Sequence, residues 1–219
     1  MKLKTNAEAA EHVSSDSFLQ KLGLYVAQIA ISPLLLTLRL LIVRNKLHRD
    51  SKGLKLNIYD GSATYILYGN HQSVLDPLII CASLPLKTIR QLLPFRFFVD
   101  NSYFKGTIKV FLNIMGGFPA HFDHTRAYGL DKARSLLASG QTVVIFPPGM
   151  RTRKKIAKSG ISVLASEPNT YLIPIYVDWK HRWHCHVHIG SPLKGGAKYS
   201  PELLMESVYS LPVNSSQEV

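Results

Sequence analysis

Leu22 to Val43 reads LGLYVAQIAISPLLLTLRLLIV, and no other stretch limits the fold of this chain so severely. Written as an α-helix it is about 33 Å long, enough to cross the hydrocarbon of a bilayer. Four residues argue against a plain crossing. Pro33 near the middle removes a backbone donor and kinks a helix, Gln28 and Ser32 are polar neighbours, and Arg39 lies well inside the second half. Three arrangements remain open: two short helices dipping into one leaflet, a single kinked span, or helices in a protein core. A cleaved leader fits poorly, because Glu8, Glu11 and Asp16 precede the run and no small-residue cleavage site follows it.

The flanks set an orientation. Arg44, Lys46, Arg49, Lys52 and Lys55 follow the run, whereas the preceding side is net acidic. The positive-inside tendency then puts the rest of the chain on the cytoplasmic face of a membrane, where the same cations attract anionic headgroups. The whole chain carries 26 Lys and Arg against 14 Asp and Glu, a net +12. That charge suits membrane phospholipids, phosphorylated substrates or nucleic acid, but no nucleic-acid-binding motif accompanies it. Cys81 and Cys185 stand far apart and make no metal-type pair, so a reducing compartment is expected.

The sequence divides into a flexible tail (1–17), an apolar helical membrane anchor (18–47), a folded domain (48–200) and a C-terminal tail (201–219) with one short helix. Within the domain, apolar strand-like runs alternate with helical patterns. Thr64–Tyr68, Phe97–Val99, Thr142–Phe146, Tyr171–Val177 and His184–Ile189 read as strands. Helices are expected from Asp76, with Asp76 as N-cap and Pro77 at the first helical position, and over Lys105–Met115, Thr125–Ala138 and Ile156–Ala165. Such alternation predicts a single α/β domain with a mostly parallel central sheet flanked by helices.

The sharpest local feature is Asn70-His71-Gln72-Ser73-Val74-Leu75-Asp76-Pro77, placed where a strand gives way to a helix. A loop of this length folds the Asp76 carboxylate back towards the His71 imidazole. A carboxylate on one ring nitrogen fixes the tautomer and leaves the other nitrogen as a base for an incoming hydroxyl. His-x4-Asp alone is weak, arising by chance in roughly one of three sequences of this composition. Some 70 residues on, the strand TVVIF runs into Pro147-Pro148-Gly149-Met150-Arg151-Thr152-Arg153. A strand that stops at such a turn and then presents Arg151 and Arg153 is suited to gripping a phosphate.

In these motifs the chain resembles the glycerolipid acyltransferases typified by 1-acylglycerol-3-phosphate acyltransferase, over roughly Leu54 to Leu193. The family's N-H-x4-D-P is met by Asn70, His71, Asp76 and Pro77. Its F-P-E-G-x-R-[ST] is met by Phe146, Pro147, Gly149, Arg151 and Thr152. Its apolar strand with a central Pro is met by Leu172-Ile173-Pro174-Ile175, and Lys158-Ser159-Gly160 falls where the family has K-x-G. The resemblance implies that His71 and Asp76 are catalytic, and that Arg151, Arg153, Gly149 and Thr152, with Asn70 and Lys158, hold substrate. It also implies an acyl-CoA or acyl-carrier-protein thioester as donor, a lysophospholipid acceptor and no bound cofactor or metal.

Three departures from the family pattern concern the acceptor side, one being that a basic residue often found after the preceding strand is missing near Asp100-Asn101, with Arg96 and Lys105 close by. Pro148 stands where the family has Glu, and His121 stands where its second motif ends in Arg. The rival expectation is therefore a non-catalytic or divergent lipid-binding membrane protein with a degenerate acceptor site. Two further patterns have plain readings. His184, His186 and His188 alternate along one strand face and read as its outward polar face, with a metal seat as the alternative. The aromatic group Phe95, Phe97, Phe98, Tyr103 and Phe104 reads as core, with an acyl-binding surface as the alternative.

Overall fold

A computed structural model describes residues 17–47, 63–120, 127–148, 157–181 and 184–214. Its first element, α1 (Phe18–Leu41), is one continuous helix, opened by a capping box in which Ser17 and Gln20 satisfy each other's backbone N–H groups. Two short helices were one expectation at Pro33, and the structure corrects it for a local reason. The carbonyl of Ile29 loses its usual N–H partner to the proline ring, and the Ser32 hydroxyl donates to it instead at 2.6 Å. With that acceptor satisfied the helix continues.

Two polar residues of α1, Gln28 and Arg39, reach into the protein. Buried Gln28 donates through Nε2 to the carbonyls of Phe95 (2.8 Å) and Met115 (3.0 Å), and its Oε1 accepts from Phe95 N–H (2.9 Å). Arg39 donates to the Leu84 carbonyl at 3.0 Å. Gly116 completes this junction at φ +89°, where a Cβ would lie 2.3 Å from the Phe95 carbonyl and 2.9 Å from Gln28 Nε2. Only glycine fits there.

The described residues form an eight-stranded sheet: β1 (Val43–Leu47), β2 (Thr64–Gly69), β3 (Phe95–Val99), β4 (Gly117–Pro119), β5 (Thr142–Ile145), β6 (Thr170–His181), β7 (His184–Ile189) and β8 (Leu193–Lys194). Their order is β1-β7-β6-β2-β5-β3-β4, with β8 also on β6. The strands β6, β2, β5, β3 and β4 run parallel, and the β6–β7 and β6–β8 pairs are antiparallel. Residues 43–47, grouped with the anchor in the sequence reading, instead form the edge strand β1, parallel to β7 from Val43↔Cys185 to Leu47↔Ile189.

Parallel strands are covered on both faces, which is why β2 is apolar throughout instead of alternating. Tyr65, Leu67, Val144, Ile173 and Ile175 face one core, with α1, α2 (Asp76–Ser83) and α3 (Leu86–Leu92) over it. Ile66, Tyr68, Val143, Ile145 and Leu172 face the other, beneath α5 (Ala127–Ala138), α6 (Gly160–Ala165) and α7 (Pro201–Tyr209). Between β3 and β4 runs α4 (Gly106–Met115), and α8 (Leu211–Asn214) ends the described chain. The single short helix expected after Ser200 is α7, and it belongs to the domain. It buries Leu204, Met205 and Val208, and the Tyr68 and Ser207 hydroxyls lie 2.7 Å apart.

Candidate active site

The site is built at the C-terminal end of β2. Both neighbours, β5 and β6, run parallel to this strand, so its end opens into the crevice where α/β sheets place ligands. Gly69 closes the strand where a Cβ would come within 2.4 Å of the Ile175 carbonyl oxygen. Asn70 follows, 3% exposed, and clasps β6: its Nδ2 donates to the Val177 carbonyl and its Oδ1 accepts from Val177 N–H, each at 2.7 Å. Its amide is thus engaged with backbone, and it holds the loop that carries His71.

Asp76 is the centre of the arrangement. The sequence reading made it the N-cap of α2. It is instead the first helical residue, following Leu75, and its carboxylate turns back over the loop. Oδ2 accepts from Gln72 N–H at 2.6 Å, Ser73 N–H at 2.8 Å and His71 Nδ1 at 2.9 Å. Oδ1 accepts from the indole Nε1 of Trp179 at 2.8 Å. The side chain has no solvent exposure, so four donors replace the water that an ionised carboxylate would otherwise need. With Nδ1 donating to Asp76, the neutral imidazole presents its lone pair on Nε2.

The imidazole is held on a second side by Phe146, stacked at 4.4 Å between centroids and 20° between planes. His71 keeps 19% side-chain exposure, enough to meet a substrate. Among the described residues no hydroxyl or thiol hydrogen-bonds to it. Nor do the cysteines supply a nucleophile. Burial, with the Asp76 charge adding to it, pushes the Cys185 thiol up to about 12, and burial alone raises Cys81 strongly.

Trp179 was not singled out from sequence, because the strand was read as ending at Val177. The available signal was parity: Ile175, Val177 and Trp179 share one face of β6, and Asn70 meets the middle one. Gly149, Arg151, Thr152, Arg153 and His121 lie outside the described residues. The flanks of the basic segment are described, and they meet. Lys158 N–H donates to the Pro147 carbonyl at 3.0 Å, Pro147 and Pro148 are buried, and Phe146 is the residue stacked on His71. The described residues on either side of that segment therefore lie close to the His–Asp pair. The Lys158 side chain is exposed at its far flank.

The other patterns sort by depth. Along β7, His184 is exposed, His186 half-buried and His188 buried edge-on to Tyr176, so the outward polar face expected there ends before His188. Among the described residues no three His, Cys, Asp or Glu side chains converge as metal ligands. Phe95 and Phe97 are core, while Tyr103 is 41% exposed.

A mostly parallel α/β sheet that presents a hydrogen-bonded His–Asp pair at a strand's C-terminal end, with no hydroxyl or thiol bonded to the imidazole among the described residues, is the kind of arrangement that suits activation of a substrate's own hydroxyl. The model of the Acyltransferase family matches residues 47–178 of the 219, and the chain belongs to that family. No curated protein sequence matches it. Among solved structures, one that matches is the 1-acyl-sn-glycerophosphate (LPA) acyltransferase PlsC from Thermotoga maritima. It is 16% identical, with a TM-score of 0.45, over 96% of this chain and 98% of that one.

Proposed function

We propose that this acyltransferase moves a fatty acyl group from acyl-CoA or acyl-carrier protein to the hydroxyl of a lysophospholipid such as 1-acylglycerol-3-phosphate. The observation that carries the reading is the His71–Asp76 pair, whose carboxylate is held by four donors while Nε2 is left for substrate. Nε2 takes the acceptor's hydroxyl proton as its oxygen attacks the thioester carbonyl. The tetrahedral intermediate collapses, the C–S bond breaks, and the imidazolium returns the proton to the departing thiolate. Asp76 stabilises the imidazolium between the two steps. Arg151 and Arg153, with Gly149, Thr152 and Lys158, would hold phosphate on acceptor or donor.

The membrane supplies the acceptor. Phe18–Leu41 is long and apolar enough to cross a bilayer, yet Leu24, Gln28 and Leu35 on one of its faces are buried against the domain. A helix tied to its own domain in this way fits a single leaflet better than a free span. The basic residues after it favour the cytoplasmic face.

The test is turnover of labelled acyl donor by the full chain in lipid vesicles, against lysophospholipids and other lipid alcohols, with products identified by mass spectrometry. His71→Ala should lose about 10²–10⁴-fold in kcat with the fold intact. Full activity in that variant, or no turnover by the parent with any acceptor, would favour a lipid-binding protein with a decayed site.

A further inference from the structure

The helix α4 is a ten-residue apolar element that the protein scarcely covers. In GTIKVFLNIM only Met115 is buried, and Ile108, Val110, Phe111 and Ile114 are 53%, 58%, 56% and 49% exposed. At helical spacing Val110, Phe111 and Ile114 share one flank, with Lys109 and Asn113 on the other. Side chains of this size are expensive to leave in water, and such a concentration on one short helix marks an interaction surface.

Two observations identify what covers it. The first is continuity. The C-terminal end of α4 meets α1 at the Gln28 junction, where Gln28 bonds Met115 O and Leu24 lies against Gly116. The outward face of α1 is apolar too, with Leu22, Val26, Ile29 and Leu34 all more than 40% exposed. The second is charge. The helix contains no acidic residue, and Lys105 and Lys109 are exposed at its N-terminal end. At about 15 Å it is too short to cross a bilayer. An apolar flank rimmed by lysines is the pattern of a helix lying in the headgroup–acyl boundary of an anionic leaflet.

We infer that α4 is a second membrane-inserting element, which enters the same leaflet as α1 and fixes how the domain sits on it. This rests on the reading of α1 as a membrane helix. Two contacts set an orientation where one would leave the domain free to swivel. Phe97 of β3 and Leu67 of β2 both pair with Val144, so the two strands end level, and α4 starts shortly after β3. Its N-terminal end is therefore at the same end of the sheet as His71, and its insertion holds that end at the lipid surface.

The experiment uses the full chain with one introduced cysteine carrying an environment-sensitive fluorophore. Cys81 and Cys185 are buried, so the label goes to the new site. Phe111→Cys and Ile114→Cys report on α4, Val26→Cys on α1, and Asp131→Cys on exposed α5 across the sheet. Vesicles of phosphatidylglycerol with spin-labelled acyl chains serve as quencher. The expected result is strong quenching at Val26 and at both α4 positions, with none at Asp131. Quenching at Val26 while both α4 labels behave like Asp131 overturns the inference and leaves the anchor standing. An unquenched Val26 label removes the anchor reading as well.

Discussion

The indole N–H of Trp179 donates at 2.8 Å to the one oxygen of Asp76 that His71 does not use. The two residues are 103 positions apart. They meet because β6 runs on past the end of β2, and the Asn70–Val177 clasp holds the His71 loop against it. The orientation of the Asp76 carboxylate is thus set from the loop on one side and from the sheet on the other.

Trp179→Phe keeps most of the ring and removes the donor. A hydrogen bond to a charged group contributes about 1.5–3 kcal/mol, and part of that is lost from a transition state in which Asp76 steadies the imidazolium. We expect kcat to fall about tenfold, with KM for the acceptor little changed. Steady-state kinetics at saturating donor checks this. An unchanged kcat would reduce the Trp179 contact to packing.

Asp76→Asn is expected to be more damaging than a lost charge alone implies. The carboxylate receives four donors, and a carboxamide offers one acceptor oxygen and two N–H groups. Whichever way the amide turns, it points a donor at Trp179 or at the Gln72, Ser73 and His71 donors. Each buried donor left unpaired costs about 1–3 kcal/mol. Both Tm and kcat should therefore drop, kcat by about 10²–10⁴-fold. A variant with normal Tm and more than a tenth of the parent's kcat would contradict the four-donor description.

What sequence could reach here was set by range. The His71–Asp76 pair is local, so spacing alone placed imidazole and carboxylate together. The parallel sheet followed from strands too uniformly apolar to have a wet face, such as TYILYG and TVVI. Trp179 and the Asn70–Val177 clasp depend on the register of β2 against β6, which no local pattern encodes. The role of Asp76 was misjudged for a related reason. Asp before Pro is the usual helix-cap signal, but capping would have turned the carboxylate forward to α2 instead of back to Gln72 and Ser73. Gln28 and Ser32 read as flaws in a membrane span; the partners of Gln28 at Phe95 and Met115 show it to be a docking group, and Ser32 satisfies the Ile29 carbonyl of its own helix.

Gln28→Leu tests that docking directly. Leucine preserves size and raises the apolar character of α1, so a helix held by lipid alone would be unharmed. The substitution leaves the Phe95 N–H and carbonyl and the Met115 carbonyl without their α1 partner, at about 1–3 kcal/mol for each group that water cannot reach. The expected outcome is a Tm several degrees lower in detergent and faster proteolysis between α1 and β1. A higher Tm would mean that hydrophobic matching outweighs these bonds.

The last prediction concerns removal of the anchor. A chain cut before β1 would shed its longest apolar helix, and a simple anchor removed in this way would leave a soluble domain. Here α1 also covers the core: Leu24 and Leu35 are 8% exposed or less, and Ile31 and Leu38 pack against the cluster that holds Leu35. Uncovering several such side chains at about 1.5–3 kcal/mol each is comparable to the whole stability of a typical domain. Deletion of residues 1–41 should therefore yield aggregated protein with no activity. Serine at the outward positions Val26, Ile29 and Leu34 should behave differently, because these side chains are 57%, 43% and 55% exposed. That triple variant should keep the parent's Tm in detergent and lose vesicle binding by at least tenfold in flotation assays. A deletion that gave a soluble, active domain would show that α1 is an appendage, and the Gln28 junction would then have no energetic weight.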